Sequence, residues 1–195
     1  MNLNSITVGW FDVLVIAFLV WGGMIGRKRG MSDELLDVLK WLLILMASAW
    51  GYMELASLVH KVGRFDNYWV HVGSYVGIIA VFKTLLTVLK QRVGKKLVGG
   101  DVFGKWEFQL GTAAGVLRHF CMVVIFVSLA NSKPVSEAKV KQAEAAQKEL
   151  FGDNFFPSKG RLRLDILYSS ATGKMIRTRL PQQIMKPVEP PNKKR

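Results

Sequence analysis

Two long apolar runs, Val8 to Ile25 and Leu35 to Val59, are separated only by a short basic turn. That turn reads Gly26-Arg27-Lys28-Arg29-Gly30, with Met31-Ser32-Asp33-Glu34 behind it. A hydrocarbon core about 30 Å thick takes ~20 apolar residues at ~1.5 Å per residue. Each run is long enough to cross it, and so tight a joint forces an antiparallel hairpin. Two further runs follow, giving expected spans at about 8–26, 35–59, 68–89 and 108–130. In lipid the backbone must satisfy its own hydrogen bonds, so each span is expected to be a helix. A soluble helix bundle would show a polar stripe on every helix. Phe11 to Ile25 shows none beyond Asp12. The expected fold is an all-α membrane protein, a four-helix transmembrane bundle with a basic, partly helical C-terminal tail.

Charge divides the chain as sharply as hydropathy does. The net charge is +13, and residues 131–195 hold fourteen Lys/Arg against six Asp/Glu. The first seven residues carry no Lys or Arg, whereas Arg27, Lys28 and Arg29 follow the first span. That order fits an anchor inserted with its N-terminus outside rather than a cleaved leader. The turn at 27–34 holds three Lys/Arg, the connection 60–67 two and the loop 90–107 five. Positive charge marks the cytoplasmic side, so both termini are expected outside. The tail's own cations oppose this, but long tails cross largely regardless of charge.

Small residues recur at four-residue spacing in every span. They are Gly22, Gly26 and Gly30, then Ala47 and Gly51, then Gly73 and Gly77, then Gly111 and Gly115. Such spacing lets two helix backbones approach closely, within one chain or between chains. The glycines are therefore expected to be packing devices and possible seams for self-association. Arg118 is the sharpest polar candidate. A central Arg costs ~2.5–3.5 kcal/mol to insert, so it must face the bundle and find a partner. Asp12 is the natural carboxylate and Asp37 the second choice; either pair would hold helices in register or line a solute or proton path. His71 and His119 could relay protons, although interfacial placement is the commoner fate of a lone histidine near a span end. Lys40 and Lys83 can snorkel toward the nearer surface.

No nucleophile–base pair or acid–base carboxylate pair is evident, so no enzyme is expected. Gly99-Gly100-Asp101 lacks the ending of a phosphate loop. Cys121 is alone, so no disulfide, metal or redox motif arises and no cofactor is expected. In the tail, Ser132 and Pro134 suit the start of a helix over 134–150. Leu162, Leu164, Ile166 and Leu167 suit a basic amphipathic segment lying on lipid headgroups, with Lys159, Arg161 and Arg163 beside them. A second such piece covers 174–185, and 186–195 reads as a disordered basic end. Anionic headgroups are thus the expected tail partner at ~1 kcal/mol per cation. Nucleic acid is disfavoured, because Phe151, Phe155, Phe156 and Tyr168 do not interleave with the basic run.

Three stretches resemble the colicin V production (CvpA) membrane proteins. They are Trp10-Phe11-Asp12, the Arg-Gly turn from Gly26 to Leu36, and Glu107-Phe108-Gln109-Leu110-Gly111-Thr112-Ala113-Ala114-Gly115-Val116-Leu117-Arg118. The resemblance covers roughly residues 8–130 and leaves the tail outside. It implies a small four-span bacterial inner-membrane protein needed for colicin V production or export, and more broadly for the envelope. It makes Glu107 a third intramembrane polar candidate beside Asp12 and Arg118. Two departures stand out: His119 follows the Arg where the family often has Gly, and Glu107 stands where it often has Asp.

Overall fold

The computed structural model describes residues 8–63, 66–97, 103–134, 137–151 and 158–188. Four helices in it are long and apolar enough to cross a membrane. They are α1 (Trp10–Arg29), α2 (Met31–Val62), α3 (Asn67–Leu97) and α4 (Glu107–Ala130), the last entered through a 3-10 turn at Gly104–Trp106. The tail adds α5 (Glu137–Phe151), α6 (Lys159–Leu164), a π-helical turn (Asp165–Ser169) and α7 (Ala171–Arg179). No strand occurs among the described residues.

The basic turn is tighter than the sequence implies. Arg27, Lys28 and Arg29 form the last turn of α1, and Asp33 and Glu34 the first turn of α2. Gly30 alone lies between the helices, at φ +81°. L side chains disfavour that backbone region. A Cβ there would also stand 2.6 Å from Glu107 Oε1. Cations at a helix C-terminus and acids at the next N-terminus both complement the helix dipoles.

The helices lie in the order α1, α4, α2, α3. Helix α1 packs chiefly on α4, α4 also on α2, and α3 chiefly on α2. The buried face of α1 runs Phe11, Val15, Gly22 and Gly26, a helical stripe. Its other face carries Val13, Leu14, Ile16, Val20, Trp21 and Met24, each 57–59% exposed. At ~25 cal/mol per Å² such a surface would be strongly unfavourable in water. In lipid it costs nothing, and close packing rather than apolar burial must then hold the helices together.

Glycine provides that packing. A Cβ on Gly26 would collide with Gly111 O and stand 2.9 Å from Gly115 Cα. A Cβ on Gly111 would stand 2.9 Å from Gly30 Cα. One on Gly115 would collide with Gly22 O, and one on Gly22 with the His119 ring. The two glycine ladders therefore form one seam inside the chain, and these faces are not left free for a second copy. Gly73 and Gly77 differ from the packing role expected of them: a Cβ on either meets nothing within 4 Å. Both lie on α3, at the edge of the row.

The tail departs from a segment lying on headgroups. Ile166, Leu167, Ile176, Ile184 and Met185 join the same buried cluster as Phe11, Tyr52, Tyr75 and Val124. The apolar side of the tail is thus spent on the end of the bundle. Ser132, expected as a helix cap, is buried and accepts Arg163 Nη2 at 3.3 Å. The expected disorder over 186–195, the Gly99-Gly100-Asp101 stretch and Phe155-Phe156-Pro157 lie wholly or largely outside the described residues.

Gly26→Val should destabilise the detergent-solubilised protein by about 3 kcal/mol, the upper range for overpacking. Gly77→Val should change it by less than about 0.5 kcal/mol, as at an unconstrained surface position. Thermal unfolding of the two variants side by side checks both.

Candidate functional site

The bundle carries polar groups at its two ends. At the α1–α2 joint, Glu34 and Asp37 lie one turn apart on α2, facing α4 and α3. Arg118 reaches them from α4: Nη1 is 3.0 Å from Glu34 Oε2 and 3.5 Å from Asp37 Oδ2. Lys90 of α3 stands 2.7 Å from Asp37 Oδ2, and Lys40 stands 3.0 Å from Oδ1. Arg29 completes the group at 3.4 Å from Glu34 and 3.6 Å from Asp37. Glu34 is fully buried and Arg118 is 7% exposed. Two carboxylates thus join all four membrane helices through cations. Each charge faces an opposite charge on another helix or turn, which offsets the cost of holding it away from water.

Glu107 sits beside this cluster. Its Oε1 accepts the Ser32 N–H at 2.7 Å, which caps the exposed amides of α2. Its Oε2 has no hydrogen-bond partner. Glu107 therefore ties the start of α4 to the start of α2, with Gly30 making room for it.

Asp12 is not the partner of Arg118. Its Oδ2 accepts the Gly9 N–H at 2.8 Å and the Ala171 N–H at 2.9 Å, and its Oδ1 accepts the Thr172 N–H at 2.8 Å. It caps α1 locally and α7 across the fold. Its neighbour Phe11 stacks on Phe126, with ring centroids 6.1 Å apart. Phe126 is two turns beyond Arg118, or ~12 Å along α4. The two expected partners therefore serve opposite ends of the bundle. The pairing with Asp12 failed because a helix N-terminus in the tail competes for the carboxylate, and it needs no formal charge to do so.

Three other bundle side chains and one backbone carbonyl bind the tail. Ser128 Oγ accepts the Met185 N–H at 2.8 Å, and Asn131 Nδ2 donates to Met185 O at 2.9 Å. The Tyr52 hydroxyl accepts the Lys186 N–H at 3.1 Å, and Ser132 O accepts the Val188 N–H at 3.0 Å. These residues carry no motif, and only the tail's position reveals their role. Glu34 and Lys40 could have been found from charge spacing, since Glu34, Asp37 and Lys40 recur every three residues on α2, whereas Lys90 of α3 is revealed only by the packing.

The histidines are placed apart. His119 is buried in the α1–α4 seam, its Nδ1 2.8 Å from Gly115 O and its ring 4.7 Å from that of Phe18. Gly22 is what makes space for it. His71 lies near the α2–α3 connection, with Nδ1 2.8 Å from Asn67 O and its ring 6.0 Å from His60. Cys121 is buried. Among the described residues no cluster of His, Cys, Asp or Glu could hold a metal ion.

Arg118→Leu should cost about 3–5 kcal/mol, because it leaves buried carboxylate charge undercompensated. Glu34→Leu with Arg118→Leu should recover most of that, since Asp37 keeps Lys40 and Lys90. Thermal unfolding of the single and double variants distinguishes them. Asp12→Ala should remove about 1 kcal/mol of capping and speed tryptic cleavage within α7.

A family model described as "Colicin V production protein" matches residues 11–150. Neither curated proteins nor solved structures return a match. The matched segment takes in all four membrane helices and reaches past residue 130 through most of α5, further than the resemblance in the spans alone. It contains Asp12, the glycine seam, Glu34, Asp37, Glu107 and Arg118. The chain belongs to the colicin V production protein family.

Proposed function

We propose that this protein is a non-enzymatic scaffold of the bacterial inner membrane that supports colicin V production or export and the integrity of the envelope. The observation that carries this reading is the ion-pair cluster at the α1–α2 joint. Its members pair across helix boundaries, as clamps do, and Arg118 reaches two carboxylates at once. Family membership supplies the link to colicin V. The competing reading is a channel or transporter component with a polar path at Arg118 and Asp12. It is weakened by the separation of those residues and by the engagement of Asp12 with the tail.

Both termini are periplasmic in this proposal. Support comes from Arg27, Lys28 and Arg29 at the tight joint and from the five cations of residues 90–107 on the same side. Lys159 and Arg179 then face anionic headgroups or other envelope proteins at the outer surface of that membrane. Self-association, if it occurs, does not use the α1–α4 glycines.

The test is colicin V export from cells whose only copy carries Glu34→Leu with Arg118→Leu. A scaffold regains export along with stability. A path that needs the charge stays inactive although the protein folds, and that result would overturn the proposal. Alkaline phosphatase fused after Arg195 should be active; an inactive fusion with an active cytoplasmic reporter would reverse the orientation.

A further inference from the structure

A cavity of about 250 Å³ lies between α5 and the π-helical turn. Val140, Lys141, Arg161, Leu164, Asp165, Tyr168 and Ser169 line it. Its construction follows from local sequence. Gly160 lets α6 seat on α5, since a Cβ there would stand 2.7 Å from Val140 Cγ2. The wide turn closes through Ser170 N–H to Asp165 O at 2.8 Å. That turn carries Asp165, Tyr168 and Ser169 along the cavity wall. π-turns cluster at functional sites because they re-aim side chains that an α-helix would place elsewhere.

The wall is chemically divided. Lys141 and Arg161 are cationic and exposed, with Arg161 Nε 3.6 Å from Asp165 Oδ1. Asp165 and the Tyr168 ring form a cation-accepting side. Arg177 occupies one face of that ring, 4.2 Å from its centroid, and Asp165 Oδ1 also accepts the Ser169 hydroxyl at 3.4 Å, so the carboxylate is the principal cation acceptor of this wall. Val140 and Leu164 supply an apolar edge. A simple anion would meet Asp165 unfavourably, and a simple cation would meet Lys141 and Arg161. A small zwitterion satisfies both sides. The π-turn packs on α4, which places the cavity beside the end of a membrane helix, where headgroups lie.

We propose that this cavity binds a phosphoethanolamine group, presented by a membrane phospholipid. The phosphate is held by Lys141 and Arg161, the primary ammonium by the Asp165 carboxylate beside Tyr168, and the glycerol lies along Val140 and Leu164. The inference is independent of the scaffold reading. A lipid site on the tail is compatible with either function, so its failure leaves that reading standing.

Native mass spectrometry of the full chain in detergent tests it. Phosphatidylethanolamine, phosphatidylcholine and phosphatidylglycerol are added at equal concentration. Phosphatidylethanolamine should be retained about ten-fold over phosphatidylcholine, the factor that one charge-assisted hydrogen bond supplies. Asp165→Asn should abolish that preference, and Lys141→Ala with Arg161→Ala should reduce retention of the lipid. Unchanged thermal unfolding shows that the variants fold. Equal retention of the ethanolamine and choline lipids, or a preference for phosphatidylglycerol, would overturn the proposal in favour of a diffuse basic surface. Soluble phosphoethanolamine separates the two sources. Failure to displace the lipid at equal concentration assigns the site to the membrane, and displacement would overturn the lipid assignment.

Discussion

The structure depends on the contact between the backbones of α1 and α4. In a bilayer the apolar faces of helices gain little by meeting each other, because lipid tails solvate them equally well. Association must come from atoms packed closer than lipid can reach. Gly22 and Gly26 on α1, with Gly30 just past its end, and Gly111 and Gly115 on α4 provide this. The seam fixes more than two helices. It sets Gly30 against Glu107, and so brings the start of α4 to the start of α2. It also sets Gly22 against His119, which gives the buried ring room beside α1.

Once the seam sets the height of α4, the electrostatics follow. Arg118 projects toward the α1–α2 joint and meets Glu34 and Asp37. Lys90 then ties α3, which packs chiefly on α2, to the same carboxylate. At the opposite end the same register leaves Asp12, Ser128 and Asn131 facing out of the bundle, where the backbone of the tail binds them. Each end has a distinct chemistry. One is closed by ion pairs between helices and the other by side chains that read the tail's amides and carbonyls. The family match holds the whole of the first closure and the bundle side of the second, and it ends before the tail segments that Asp12, Ser128 and Asn131 bind.

The spans were legible because length and hydropathy alone decide them in lipid. The seam was half legible. Spacing identified the glycines of α1 and α4, but spacing cannot say which ladders meet, and Gly73 and Gly77 share the pattern while touching nothing. For Arg118 the second choice, Asp37, is a partner and the first, Asp12, is not, for a related reason. Sequence shows which carboxylates exist, not the height at which a long side chain ends. Arg118 extends along α4 toward the joint, while Asp12 is taken by the amides of a segment ~160 residues away in sequence, a long-range contact of the kind that local pattern cannot reveal. The tail's apolar residues were read as lipid-facing because protein and lipid accept the same amphipathic pattern.

Disulfide trapping between Gly23→Cys and Thr112→Cys, in a Cys121→Ser background, tests the seam most directly. A side chain on Gly23 would lie 3.3 Å from Thr112 Cγ2, close to the separation a disulfide requires. Mild oxidation in native membranes should link the two positions within one chain, with no mixed product when differently tagged copies are co-expressed. A cross-link found between copies, or no cross-link at all, would show that α1 and α4 of the same molecule do not meet along these glycines.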